Sequence, residues 1–255
     1  MKKIIYVVML FAVLDCSAKA RLSQKILIIS VPKSGTHLLG KVISLITGQQ
    51  HRSPGLHFSL AIAVKALSRL NLEGKFSHVH SAYSPGGMDI LQKKKVTTFF
   101  IYRDPRDQII SWMHYDKNGL IVTSEDHFIR DAFNPDLKYV WDKGGVARLY
   151  NTRMPWAENK DICAMRFEDL IGSKGNGSDE MQRETIQRIA NHLGVSLTEA
   201  EITSITQQLF GGTATFHEGK IGSWKDYFTP EHKDLCKKHA GRLLIQLKYE
   251  NSLDW

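Results

Sequence analysis

The sequence predicts an α/β fold: three layers, with a central parallel β-sheet flanked by helices on both faces. Three observations carry that reading. Short runs rich in apolar and β-branched residues alternate with segments of helical periodicity. Two of those runs, 26–29 and 99–102, pass straight into helices through short polar turns. The chain also has 255 residues, 42% hydrophobic and 24% charged, which suits one substantial globular domain and leaves two cramped.

The elements follow in chain order. Lys2 and Lys3 precede an apolar stretch from Ile4 to Leu14 and then Ser17-Ala18-Lys19-Ala20. A basic start, a short apolar core and small residues predict a signal peptide over 1–20, leaving 21–255 as the folded domain. The competing reading is a first strand or helix. The run is too short for a comfortable membrane span. The spacing then predicts strands at 25–30, 76–80, 96–102 and 161–167. Leu38, Leu39, Val42, Ile43 and Ile46 form one helical stripe, and 59–70 forms another helix. A helix over 105–115 carries Pro105 in its first turn. Between 116 and 160 the pattern weakens, which predicts an excursion from the sheet that faces substrate. Residues 174–178 read as a flexible loop, and Asn176-Gly177-Ser178 fits a glycosylation acceptor. Thr198 with Glu201 predicts a capping box for a helix through Leu209. Thr229-Pro230 opens the last helix, striped by Leu235, Leu243, Leu244 and Leu247.

The chemistry concentrates in three places. In Ser30-Val31-Pro32-Lys33-Ser34-Gly35-Thr36-His37 a strand turns into a helix, so free N–H groups and the positive helix end converge on one point. Lys33 adds a charge, Ser34 and Thr36 add hydroxyls, and Gly35 allows close backbone approach. The spacing is not that of a nucleoside triphosphatase, because Lys33 precedes the glycine and no earlier glycine exists. The second place is Arg103-Asp104-Pro105-Arg106-Asp107, with Ser111 two turns into the helix. Arg103 there either binds a phosphate or pairs with Asp104 or Asp107. The third is His217-Glu218-Gly219-Lys220-Ile221-Gly222-Ser223-Trp224-Lys225. It is either a basic loop over an anion or a surface turn with Trp224 in the core. The formal charge of +8 suits an anionic ligand but does not by itself specify one. Cys16, Cys163 and Cys236 make no disulfide framework, and no spacing suggests a metal site.

Taken together these segments resemble the 3′-phosphoadenosine 5′-phosphosulfate (PAPS)-dependent sulfotransferases. Pro32-Lys33-Ser34-Gly35-Thr36 is similar to that family's 5′-phosphosulfate loop. Arg103 and Ser111 are similar to its 3′-phosphate clamp, and Gly219–Lys225 to its late Gly-x-x-Gly-x-Trp-Lys loop. The resemblance implies a P-loop NTPase-like domain that transfers a sulfuryl group from PAPS, as co-substrate, to a hydroxyl or amine. It implies an acceptor that is a small molecule, carbohydrate or lipid, and no nucleic acid or metal. It assigns Lys33, Ser34 and His80 to catalysis, with His78 as the alternative base. It assigns Lys33, Ser34, Gly35, Thr36, His37, Arg103, Ser111, Phe167, Gly219 and Lys220 to donor binding. The chain departs from the family in three ways. His217-Glu218 replaces Arg-Lys, His37-Leu38 stands where the family has Trp, and Phe167 replaces a Tyr near adenine. Two other readings fit the same loop, a binding module for phosphorylated or sulfated ligands and a small-molecule kinase. The expected location is the secretory pathway or outside the cell if the signal acts, and the cytoplasm otherwise.

Overall fold

The computed structural model describes residues 24–52, 59–117, 124–140, 142–212 and 218–255. The expected signal segment and His217 lie outside them. The main sheet contains β1 (Lys25–Ser30), β2 (Gln50–His51), β3 (Lys75–Val79), β4 (Val96–Tyr102) and β7 (Ile162–Arg166). Its order is β2-β3-β1-β4-β7, and every pairing is parallel. A small antiparallel ribbon pairs β5 (Lys138–Tyr139) with β6 (Asp142–Lys143). The expected parallel sheet and helical layers are therefore present.

Alternation along the strands divides the core in two. Ile26 and Ile28 face one layer, made by α1 (Thr36–Thr47), α7 (Glu168–Ile171), α8 (Asp179–His192) and α9 (Glu199–Leu209). Leu27 and Ile29 face the other. That layer holds α2 (Leu60–Leu72), α3 (Pro85–Lys93), α4 (Pro105–Lys117), α5 (Glu125–Phe133), α6 (Gly145–Asn151) and α10 (Pro230–Gln246). Ile26 through Ile29 are wholly buried, as a strand covered on both faces must be.

Strand placement agrees with the sequence to within a residue, and both predicted helix starts are seen. Thr198 and Glu201 form a reciprocal capping box, and Thr229 caps α10. The helices α7 and α8 were not anticipated, nor were α3 and the two-residue edge strand β2. Neither of the last two carries a strong periodic signal, because β2 is too short and α3 is rich in glycine at its start. The segment 174–178 needs correction. It is a 3-10 turn at Ser173–Gly175 with Gly175 buried, and its carbonyl accepts from Ile221 N–H at 2.9 Å. The turn is a seat for the late loop rather than a flexible tether. Cys163 and Cys236 are both free thiols. Among the described residues no helix is long and apolar enough to cross a membrane.

Parallel pairing sets the carboxyl ends of β1, β3, β4 and β7 along one edge. β3 and β4 lie on opposite sides of β1, so the chain reverses its direction of travel there, where a parallel α/β sheet opens a crevice.

Candidate active site

The loop after β1 is held from three directions. Val31 N–H donates to Ile101 O at 3.1 Å, and the buried Gln108 amide on α4 donates to Pro32 O at 3.0 Å. Tyr139 fixes Gln108 in turn at 2.9 Å. Within this frame Lys33 takes φ 63°, a left-handed conformation unusual for a side-chain-bearing residue. Gly35 follows at φ 91°, and a Cβ there would stand 2.7 Å from the Phe167 ring. Only glycine satisfies both conditions. Thr36 then begins α1.

This loop is cationic and short of partners. Burial and the neighbouring Arg103 charge push the Lys33 ammonium down to about 8, and its Nζ lies 4.3 Å from the centre of the Tyr115 ring. Ser34 Oγ is buried near the Tyr150 hydroxyl but makes no hydrogen bond of normal geometry, while Tyr150 donates to Arg103 O at 2.7 Å. A buried orphan donor beside a desolvated lysine fits an anion.

β3 supplies the histidines. His78 and His80 share the α1 face of the sheet. His78 is 3% exposed and bonded to His51 at 3.0 Å, whereas His80 is half-buried at the strand's end. His80 Nδ1 lies 2.9 Å from Ser30 Oγ and 3.2 Å from Ser30 O, and Ser30 Oγ lies 2.8 Å from Thr36 Oγ1. The segment after β3 is tied down by Arg153, which donates to His80 O at 3.1 Å, and by Trp156, which donates to Ser81 O at 3.0 Å. Both anchors come from the 116–160 excursion, so part of that region props the site. His37 packs against His51 and His78 with ring centroids 5.4 and 5.5 Å apart. Burial, with His37 nearby, pushes His51 down to about 4. Among the described residues no group of three or more His, Cys, Asp or Glu is arranged to hold a metal ion.

β4 and α4 supply the other half. Arg103 is buried, with its guanidinium 4.3 Å from the centre of the Phe167 ring and its Nε without a partner. Its other contacts are Lys220 O at 2.5 Å and Asp107 at 3.8 Å. The proposed pairing of Arg103 with Asp107 is thus present but loose, while Asp104 is claimed by Arg106 at 2.7 Å. Asp107 does something the sequence did not reveal. Its two oxygens accept the N–H groups of Gly222 at 2.7 Å and Trp224 at 3.0 Å. Burial, the largest cause, raises its carboxyl above the usual range despite Arg103 and those N–H donors. No local signal marks this role, because the partner loop lies 115 residues away. Ser111 lies one turn beyond Asp107 on the same helical face and is half-buried.

The late loop is a surface turn with Trp224 buried in the core, the second of its two sequence readings. Trp224 packs on Arg106 at 4.2 Å, while Lys220 and Lys225 are exposed. Gly219 and Gly222 take φ 63° and 83°. Glu218 is not a bare charge, since Ser223 Oγ donates to it at 3.2 Å. Phe167 is buried, covering Arg103 and packing on Gly35.

The structure therefore gathers Lys33, Ser34, Gly35, Thr36, His37 and His80 around the ends of β1 and β3. It gathers Arg103, Phe167, Gly219 and Lys220 around the end of β4, with Ser111 further along α4. Fold and site together define a parallel α/β protein with a cationic strand-to-helix loop at the end of its first strand. The chain belongs to the sulfotransferase family: the family model described as "Sulfotransferase domain" matches residues 23–248. It is 23% identical to the amine sulfotransferase of Oryctolagus cuniculus over 84% of this chain and 69% of that one. It is also 23% identical to human sulfotransferase 6B1, over 89% and 80%. Among solved structures, it resembles mouse sulfotransferase SULT7A1 complexed with PAP, with a TM-score of 0.62 at 17% identity over 88% and 89% of the two chains. Retinol dehydratase in a complex with retinol and PAP gives 0.62 at 17% identity over 88% and 82%.

Proposed function

We propose that this protein transfers a sulfuryl group from PAPS to a hydroxyl or amine on a small-molecule, carbohydrate or lipid acceptor. One observation carries the proposal. The Lys33 loop, His80 and Arg103 converge at the ends of three adjacent strands, where Arg103 Nε is buried without a hydrogen-bond partner among the described residues. The relatives' names and the PAP in the structural neighbours support it.

In this reading the loop N–H groups and Thr36 hold the 5′-phosphate end, and Ser34 and Lys33 meet the bridging oxygen. Arg103, Ser111, Gly219 and Lys220 hold the 3′-phosphate. His37 and Phe167 wall the nucleotide. Transfer is in-line: the acceptor oxygen forms a bond to sulfur as the bond from sulfur to the bridging oxygen breaks. The acceptor proton passes to His80, and Lys33 neutralises the charge that builds on the departing bisphosphate. Burial and Arg103 push the Lys33 ammonium down to about 8, so above that pH donor binding must restore its proton. Donor affinity therefore falls as pH rises above 8, by up to about tenfold per pH unit.

The test is transfer of labelled sulfuryl from PAPS across a panel of hydroxyl and amine acceptors. The wild type should label at least one acceptor, and His80→Ala should cut turnover about 10²–10⁴-fold with donor affinity kept. Tight bisphosphate binding with no transfer to any acceptor would instead favour the binding module.

A further inference from the structure

We propose that Ser30 is a positioning residue through which an anion at Thr36 sets the protonation of the His80 ring. The inference rests on the sulfotransferase reading, in which His80 is the base. Ser30 is wholly buried, and its hydroxyl bridges Thr36 Oγ1 at 2.8 Å and His80 Nδ1 at 2.9 Å. A hydroxyl has one proton, so it donates to one neighbour and accepts from the other. The chain Thr36–Ser30–His80 thus has only two consistent directions.

In the first direction His80 carries its proton on Nδ1 and donates to Ser30. Ser30 donates to Thr36, and Thr36 sends its own proton out toward the loop. In the second direction Thr36 donates inward to Ser30, Ser30 donates to a bare Nδ1, and the ring proton sits on Nε2. The second direction has two faults. It sets the Nδ1 lone pair against the Ser30 carbonyl at 3.2 Å, and a carbonyl oxygen can only accept. It also leaves Thr36 with nothing to donate to an anion. An ionised phosphate likewise only accepts, so its arrival at Thr36 selects the first direction.

The consequence lies at the far side of the ring. With the proton held on Nδ1, the lone pair is on Nε2, the nitrogen that can take a proton from the acceptor. The step balances. The acceptor O–H proton goes to Nε2, the O–S bond forms as the donor's S–O bond breaks, and His80 is left as an imidazolium still donating to Ser30. Donor binding thereby readies the base before the acceptor reacts. The other groups facing His80 are His78 on its own strand, with ring centroids 5.3 Å apart, and behind it His51 and His37. From the 116–160 excursion Arg153 donates to the His80 carbonyl at 3.1 Å.

The experiment is ¹⁵N NMR of the imidazole rings in the full chain, with and without saturating adenosine 3′,5′-bisphosphate, in wild type, Ser30→Ala and Ser30→Thr. Bisphosphate should drive the wild-type His80 ring to the form protonated on Nδ1, and Ser30→Thr should keep that response. Ser30→Ala should lose the response and show kcat down about tenfold, with donor KM changed less than about threefold. A bisphosphate complex with His80 protonated on Nε2, or a Ser30→Ala protein with unchanged kcat, overturns the relay. If Ser30→Ala fails to fold, the wild-type titration alone decides. Failure of bisphosphate to bind at all removes the sulfotransferase reading and the relay with it. Binding that leaves the His80 ring protonated on Nε2 removes the relay alone.

Discussion

Lys33 carries three unusual properties at once: a left-handed backbone, a lowered ammonium pKa and a position directly before Gly35. The backbone costs about 1 kcal/mol or more, and burial beside Arg103 weakens the charge. In the proposed function, an anion held by the loop would offset both costs. Lys33→Ala is therefore expected to cut kcat by about 10²–10³-fold while slightly raising thermal stability, checked by turnover and calorimetry on the same samples. Lys33→Arg should not rescue turnover, because a forked cation cannot occupy the place of a point charge on one oxygen. Gly35→Ala pairs a φ of 91° with a Cβ 2.7 Å from Phe167. It is expected to destabilise by about 1–3 kcal/mol, read from a denaturant midpoint. The residue types of this loop were legible in the sequence because they are adjacent, whereas the left-handed Lys33 backbone and the approach of Arg103 and Phe167 were not. The histidine group was legible only in part, since His37, His51 and His78 come from three different elements, one of them a two-residue strand.

At the scale of elements, α4 organises the donor end. Its first turns bring Gln108 to the Lys33 loop and Asp107 to the late loop, and Arg103, just before the helix, reaches the late loop at Lys220 O. Asp107→Ala would strand two backbone N–H groups that now share its carboxylate. The expected cost is about 2–4 kcal/mol of stability, with a weaker bisphosphate affinity as Gly222 and Trp224 lose their anchor. Asp107→Asn keeps one acceptor and should lie between. A thermal melt and a titration on each variant separate the two effects. Capped helices such as α9 and α10 could be read from sequence because a cap is local. The seat of the late loop on Gly175 and Asp107 could not, since each contact joins segments far apart in the chain.

Across the whole molecule, parallel pairing around β1 places loops distant in sequence at one edge, and buried polar groups bind that edge together. Glu168 shows the cost. It accepts from Asp104 N–H at 2.9 Å and from the Tyr249 hydroxyl at 2.9 Å, and burial pushes its carboxyl up to about 7. A raised carboxyl contributes stability below its unfolded value of 4.5 and loses it as pH rises toward 7. Glu168→Gln should thus be more stable than wild type at pH 8, by at most about 3 kcal/mol, and no more stable at pH 4. Parallel urea titrations at the two pH values check this. The fold class followed from alternating periodicities, which survive in sequence. The burial of Glu168 followed from tertiary packing, which does not.

We propose that a lysine directly before Ser34-Gly35-Thr36 fits this loop to a bisphosphate nucleotide rather than a triphosphate. Isothermal titration of the full chain with adenosine 3′,5′-bisphosphate, and separately with ATP, tests it most directly. The account predicts saturable bisphosphate binding that Lys33→Ala and Arg103→Ala each weaken, with ATP bound far more weakly. ATP binding as tight as or tighter than bisphosphate, or bisphosphate affinity unaltered in both variants, would contradict it.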